Sequence, residues 1–289
     1  MIYLELKEIH SKEYNCSFQE KYSGEFFTSA EVVSSYNDGF KDVVESNESV
    51  GLRKPQYGAL CSIRANWTIK NDAITIVLPT GTGKSETMLA TVVSEKIERT
   101  LIIVPNKLLR DQTYDRAKKL GILREIGCVD NSVLNPNTLC LKSGFANIEN
   151  FKVMIEKSNI IISTMSLINR MNEEQVGLLS EKCDLLIVDE AHHISSKTWH
   201  NFKKQFLKKK ILQFTATPYR QDGKLVDGNI IYNFPMHMAI EQDYFKPIDF
   251  IEIEEYDENL VDKCIADCAV SNLKLDIKNG FNHILLVRA

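Results

Sequence analysis

The chain has no uninterrupted apolar run approaching the ~20 residues that span a bilayer, and its N-terminus has no basic-then-apolar leader. No membrane partner is expected, and the expected location is cytoplasmic. A C-x-x-C pair is also missing. The seven cysteines are odd in number and scattered, which argues against a disulfide framework. Cys264 and Cys268 stand one helical turn apart, but no histidine nearby completes a tetrahedral zinc set, so they read as small buried apolar residues. Excess positive charge is absent as well: 35 Lys and Arg against 39 Asp and Glu give a formal net charge of −4. That excludes a basic surface over the whole protein while leaving room for a locally positive groove. There is no internal repeat and no low-complexity tract.

What is present is the composition of a globular protein, 44% hydrophobic and 26% charged, in 289 residues that can bury one large or two modest cores. Residues 1–50 carry ten acids against four lysines, so they are set apart as an accessory segment. The remainder is nearly balanced.

Residues 74–87 read Ile-Thr-Ile-Val-Leu-Pro-Thr-Gly-Thr-Gly-Lys-Ser-Glu-Thr, a buried strand, a glycine-bearing turn and a helix start. This is the layout of a phosphate-binding loop. Gly81 and Gly83 lack the Cβ atoms that would keep the backbone from wrapping a phosphate, so successive N–H groups and the positive end of the next helix can face an anion. Lys84 is placed to meet outer phosphates, and Ser85 offers a hard oxygen to Mg²⁺. Leu78 stands where the general G-x-x-x-x-G-K-[ST] pattern has its first glycine. Upstream, Gln56 carries an amide that both donates and accepts, which suits the edge of adenine.

Strand and helix signals alternate from there. A helix is expected after Leu60 to residue 69, another over 86–97, a strand over 100–104 and a helix over 107–120. Further strands are expected over 160–162, 185–188 and 211–214, apolar on both faces as parallel strands between helix layers must be. The expected architecture is a doubly wound α/β sheet, with ligands at the carboxyl ends of its strands. Residues 229–245 read as an excursion leaving this domain. A strand over 247–254, an amphipathic helix over 257–278 and a strand over 283–288 then suggest the start of a second α/β domain. The five lysines Lys203, Lys204, Lys208, Lys209 and Lys210 read as the solvated face of a helix whose buried stripe is Phe202, Phe206, Leu207 and Ile211.

A second chemical signal sits at the end of the strand 185–188: Asp189-Glu190-Ala191-His192-His193. Asp189 can hold Mg²⁺ through its water shell, and Glu190 can orient and deprotonate an attacking water. Phosphoryl transfer needs mostly positioning and charge neutralisation, which loop, lysine, metal and base provide.

In order along the chain, these blocks resemble the superfamily 2 helicases and translocases, most closely the type III restriction-subunit branch of restriction-enzyme motors. Leu52-Arg53-Lys54-Pro55-Gln56 is similar to the adenine-recognition segment, residues 79–87 to motif I, Ile103-Val104-Pro105-Asn106-Lys107 through Gln112 to motif Ia. Ile162-Ser163-Thr164-Met165-Ser166-Leu167 is similar to motif Ib, residues 189–193 to a DEAH-type motif II, and Thr215-Ala216-Thr217-Pro218 to motif III. Residues 219–224 and 243–248 favour the restriction branch.

The resemblance implies a RecA-like ATP-binding domain over 51–245 and the beginning of a second such domain over 246–289. It implies ATP and Mg²⁺ as ligands, with Arg53, Gln56, Thr80, Gly81, Thr82, Gly83, Lys84, Ser85 and Glu86 around the nucleotide and Ser85 and Asp189 on the metal. Lys84, Asp189 and Glu190 would carry catalysis, while His192, Thr215 and Thr217 would couple the nucleotide to the strand-binding face. Pro105, Asn106 and Thr164 would touch a nucleic-acid backbone, DNA rather than RNA, in a protein that works with a nuclease or other effector in defence against foreign DNA. An RNA remodeller of the same fold and an ATP-gated docking switch are the alternatives. In such motors the transition-state arginines come from the second domain, so the 289 residues are expected to be the front of a longer protein and to bind ATP but turn it over slowly.

Overall fold

The computed structural model describes residues 16–18, 27–143, 147–191, 196–219, 223, 225–226, 228–245, 252–254, 256–257 and 260–280. The chain forms two compact units, Met1–Tyr244 and Phe245–Ala289. The strand expected over 283–288, most of that expected over 247–254, and His192 lie outside the described residues.

The first unit is built on one sheet of β1 (Cys16–Phe18), β2 (Ile74–Val77), β3 (Thr100–Val104), β4 (Thr138–Leu141), β5 (Ile160–Thr164), β6 (Leu185–Val188), β7 (Lys210–Thr215) and β8 (Asn229–Asn233), in the spatial order β1-β4-β5-β3-β6-β7-β2-β8. Strands β2 to β8 pair in parallel, and β1 closes one edge antiparallel to β4. The helices are α1 (Ser29–Ser34), α2 (Lys54–Trp67), α3 (Lys84–Ser94), α4 (Lys107–Ala117), α5 (Ile148–Lys157), α6 (Met165–Ile168), α7 (Glu173–Lys182), α8 (Ser196–Gln205) and α9 (Met236–Glu241), with α10 (Val261–Lys278) in the second unit.

The central strands are runs such as Ile-Thr-Ile-Val and Leu-Leu-Ile-Val in which every residue is buried. Both faces of a parallel sheet are covered, so the usual polar alternation disappears. Leu101, Ile103, Ile161, Leu186, Val188 and Ile211 point to one face and pack on Phe151 and Met154 of α5, Leu179 of α7 and Phe202 of α8. The parallel register aligns the carboxyl ends: Val77 opposite Thr215, Val188 opposite Gln213, Ile103 opposite Val188 and Val104 opposite Thr164. The five segments that carry motif residues therefore leave the sheet along one rim.

The opposite rim is tied by Arg99, which is buried just before β3. Its guanidinium donates to the carbonyls of Ile155 (2.9 Å), Glu156 (3.0 Å), Ser158 (3.1 Å) and Lys182 (3.0 Å). Those carbonyls lie at the C-terminal ends of α5 and α7, where backbone acceptors lack partners within the helix and the macrodipole favours a cation.

Three expectations need correction. Residues 229–233 are not an excursion but the strand β8, parallel to β2, with α9 following; β8 is a half-exposed edge flanked by asparagines, so it lacks the apolar signature of its neighbours. The lysine cluster is not one helical face: α8 ends at Gln205, Lys210 opens β7 with its ammonium 4.3 Å from the Trp67 ring centroid, and Leu207 is 67% exposed while Phe202, Phe206 and Ile211 are buried. Cys264 and Cys268 are half-buried rather than buried.

Candidate active site

The chain leaves β2 through Leu78, whose N–H still donates to Thr215 O at 2.9 Å, and turns at Pro79. Gly81 and Gly83 adopt φ of 89° and 96°, the left-handed region where a Cβ is strained. Gly83 is the N-cap of α3, and a Cβ there would lie 2.0 Å from Gln56 Nε2. The first N–H groups of α3 have no acceptor inside the helix and carry its positive dipole end.

Two residues at the N-terminus of α2 brace this turn. Arg53 Nη1 donates to Gly81 O at 2.8 Å, and Gln56 Nε2 donates to Gly83 O at 3.0 Å while its Oε1 accepts from Arg53 N at 2.7 Å. Gln56, expected at the adenine edge, thus holds the loop: both ends of its amide bond to the chain. Thr82, expected around the nucleotide, is fully buried and faces inward, its N–H and hydroxyl both donating to Pro79 O at 3.2 and 2.7 Å. The turn itself uses those donors.

The register carries Asp189 and Glu190 from the end of β6 to this loop. Lys84 Nζ forms an ion pair with Glu190 Oε1, with side chains only 9% and 15% exposed. Glu190 has φ +50°, an unusual position for a non-glycine residue. Its N–H donates to Asp189 Oδ1 at 3.0 Å. Burial pushes the Asp189 carboxyl up to about 6; the charge of Lys84 pulls it down and that of Glu190 pushes it further up.

Lys84, Ser85, Asp189, Glu190, Arg53 and Gln56 open on one cavity of about 570 Å³, together with Thr80, Gly81, Gly83 and Glu86. An ammonium, a helix N-terminus, a hydroxyl and the adjacent carboxylates of Asp189 and Glu190 around one space are a donor set that fits a magnesium-bound triphosphate. Lys84 and the α3 terminus would take phosphate oxygens, and Ser85 and Asp189 the metal. The far wall comes from α4 and the turn after it: Gln112, Arg116, Lys119 and Ile122. Arg116, Lys119 and Ile122 lie beyond the motif Ia segment that ends at Gln112, although 112, 116 and 119 share one face at helical spacing. Arg116 Nη1 donates to Glu86 Oε1 at 3.1 Å, setting a cation against the acid that the loop places beside the phosphate position.

Thr80 and Glu190 also line a second cavity of about 580 Å³, with Pro105, Asn106, Leu109, Ala216 and Thr217. Motif segments I, Ia, II and III therefore meet there. Asn106 is exposed, and its Oδ1 caps α4 by accepting from Leu109 N at 2.9 Å. Thr217 is exposed, and Thr215, fully buried behind it, donates its hydroxyl to Thr217 O at 2.7 Å. Thr164 is not brought to this face: it is 4% exposed, and its hydroxyl caps α6 by accepting from Leu167 N at 3.3 Å.

Among known proteins, the family described as "Type III restriction enzyme, res subunit" matches residues 49–220. The DNA 3'-5' translocase XPB2 of Sulfurisphaera tokodaii is 32% identical over 167 residues, covering 54% of this chain and 31% of that protein. The putative ATP-dependent RNA helicase MJ1505 of Methanocaldococcus jannaschii is 25% identical over 215 residues, covering 72% and 24%. Of the solved structures, the UvsW helicase from bacteriophage T4 gives a TM-score of 0.43 at 14% identity, over 69% of this chain and 63% of that one. The chain spans under a third of the length of the curated relatives it matches. Because the family match runs over more than half of the chain and takes in the loop, the acidic pair and the Thr-Ala-Thr segment in order, this protein belongs to the type III restriction enzyme res-subunit family, among the superfamily 2 ATP-dependent helicases and translocases.

Proposed function

We propose that the chain is the ATP-binding part of a nucleic-acid translocase or helicase that acts on DNA. The observation that carries this reading is the meeting of Lys84, Asp189 and Glu190 with the N-terminus of α3 in one cavity. When bound, Mg²⁺-ATP supplies a bond whose hydrolysis yields free energy and a set of charges to be neutralised. Lys84 exchanges Glu190 for phosphate oxygens, and the α3 N–H groups orient the chain of phosphates. Glu190, released, is positioned to accept a proton from water, the role a carboxylate fills in phosphoryl transfer. The resemblance assigns the relay of nucleotide state to His192, Thr215 and Thr217.

The 580 Å³ cavity beside Pro105, Asn106 and Thr217 is the proposed place for the strand. Contacts there would be to the backbone, which position a nucleic acid without reading its sequence. The family description and the XPB2 relative favour DNA, and a setting in restriction or another defence against foreign DNA, with a partner nuclease, rests on that description. The names of two relatives point to RNA instead.

Titration calorimetry with Mg²⁺-ATP, followed by hydrolysis assays with duplex DNA, single-stranded DNA or RNA, tests the reading. The wild-type chain binds, Lys84→Ala loses binding, and Glu190→Gln binds without turnover. Binding that survives in Lys84→Ala would remove the nucleotide reading. Stimulation by RNA alone would move the substrate to RNA.

A further inference from the structure

Tyr244 is the last residue of the first unit, outside the loop and the acidic pair, yet it is linked to both flanks of the phosphate loop. Its ring lies under the Arg53 guanidinium, 5.5 Å from centroid to Cζ, and Arg53 Nη1 is the group on Gly81 O. The ring also meets Phe234 edge-on at 6.2 Å, and Phe234 N–H donates to Val77 O at 3.0 Å, at the end of the strand that feeds the loop. The Tyr244 hydroxyl donates to Glu45 and accepts from Lys54 N–H at 3.2 Å; Lys54 N–H is shared with Glu45 at 3.1 Å. Burial and then the bond to Glu45 push the phenol up to about 12, so it stays a neutral donor at physiological pH.

The choice of partner has a physical consequence. An arginine is ordinarily fixed by a carboxylate, but a carboxylate at Arg53 would set a negative charge at the rim of a cavity built for phosphates. An aromatic face holds the guanidinium without adding charge, while the nearby carboxylate, Glu45, is taken by the Tyr244 hydroxyl.

We infer that Tyr244 is a positioning residue for the phosphate loop: by holding Arg53 on Gly81 O it ties the loop's shape to the point where the chain leaves the first unit. The inference rests on the nucleotide reading above. It makes nucleotide affinity depend on a residue that packs on Arg53, Phe234, Glu45 and the first turn of α2 but does not line the cavity.

The test uses the 289-residue chain, titrated by calorimetry with Mg²⁺-ATP and with Mg²⁺-tripolyphosphate, which has no nucleoside. Tyr244→Leu weakens both ligands by the same factor, roughly three- to thirtyfold for loss of a cation–π contact. Tyr244→Phe keeps the ring and stays within about threefold of wild type. In an Arg53→Ala background, Tyr244→Leu adds nothing. Thermal unfolding confirms that each variant is folded, and Tyr244→Phe and Arg53→Ala carry the comparison if Tyr244→Leu is not.

Wild-type binding together with an indifferent Tyr244→Leu overturns the inference alone. So does a loss confined to Mg²⁺-ATP, which would mean direct contact with the nucleoside, or a loss that persists in the Arg53→Ala background. A wild-type chain that binds neither ligand removes the nucleotide reading and the inference with it.

Discussion

Gly83→Ala separates two costs that the structure imposes at one atom. At φ +96° a residue bearing a Cβ is strained by about 1–2 kcal/mol. The new methyl would also lie 2.0 Å from Gln56 Nε2, the far end of a side chain that can swing away only by giving up its bonds to Gly83 O and Arg53 N. Those are worth roughly 0.5–1.5 kcal/mol each, so Gly83→Ala is expected to destabilise the fold by about 2–5 kcal/mol. In a Gln56→Ala background the bonds are already gone and the clash is relieved, leaving only the backbone term of about 1–2 kcal/mol. Urea unfolding of the two singles and the double therefore shows sub-additive costs. Equal cost for Gly83→Ala in both backgrounds would refute the packing of Gln56 on the loop, and a cost below about 0.5 kcal/mol would refute the left-handed turn as well.

Away from the site, Arg99→Met removes the group that holds the ends of α5 and α7 and leaves four carbonyls short of a donor; a loss of about 3–5 kcal/mol is expected in urea unfolding. Phe206→Ala, at a fully buried ring, costs about 3–5 kcal/mol, whereas Leu207→Ser, at the exposed neighbour, stays within about 0.5 kcal/mol. In thiol mapping at pH 8, Cys61, Cys264 and Cys268, which are half-buried, are modified first. Cys140 and Cys183 react only on unfolding, because burial pushes their thiols up to about 11 and about 12, well above the assay pH, and keeps the thiolate population small.

The sheet was legible where sequence and burial agree. Strands β3 and β6 fall on the expected residues because a parallel strand covered on both faces writes itself as an unbroken β-branched and leucine run. β8 was lost for the opposite reason: as an edge strand it is half-exposed and ends in asparagine, so nothing distinguishes Asn-Ile-Ile-Tyr-Asn from a loop. Glycine spacing and the acidic pair marked the candidate site from the sequence, since backbone geometry and paired charge are local properties. The contacts inside it were not local. Lys84 meets Glu190 across 106 positions and Tyr244 meets Glu45 across 199, pairings set by strand order and invisible to periodicity. The backbone bonds of Thr82 and Thr164 were hidden for a related reason: short polar side chains beside helix starts are often engaged by the backbone.

The Lys84–Glu190 pair has a consequence for affinity as well as for turnover. A polyanion that takes Lys84 must first displace Glu190 from it, and the exchange takes place where both side chains are at least 85% buried and water screens little. A charge-assisted hydrogen bond is worth about 1.5–3 kcal/mol net, against 0.5–1.5 kcal/mol for its neutral counterpart. Replacing the carboxylate by an amide in Glu190→Gln should lower the competition by about 1–2 kcal/mol, or roughly five- to thirtyfold in affinity. Removing any negative charge from the cavity would help a polyanion somewhat, so Asp189→Asn is the control: it deletes an equal charge beside the same lysine without deleting the ion pair. Measured with ATP in the presence of a chelator, so that metal binding by Asp189 does not enter, Glu190→Gln should bind clearly more tightly than both Asp189→Asn and wild type. Equal tightening by the two variants would reduce the effect to net charge, and no tightening by Glu190→Gln would mean that Lys84 reaches the phosphates without giving up its partner.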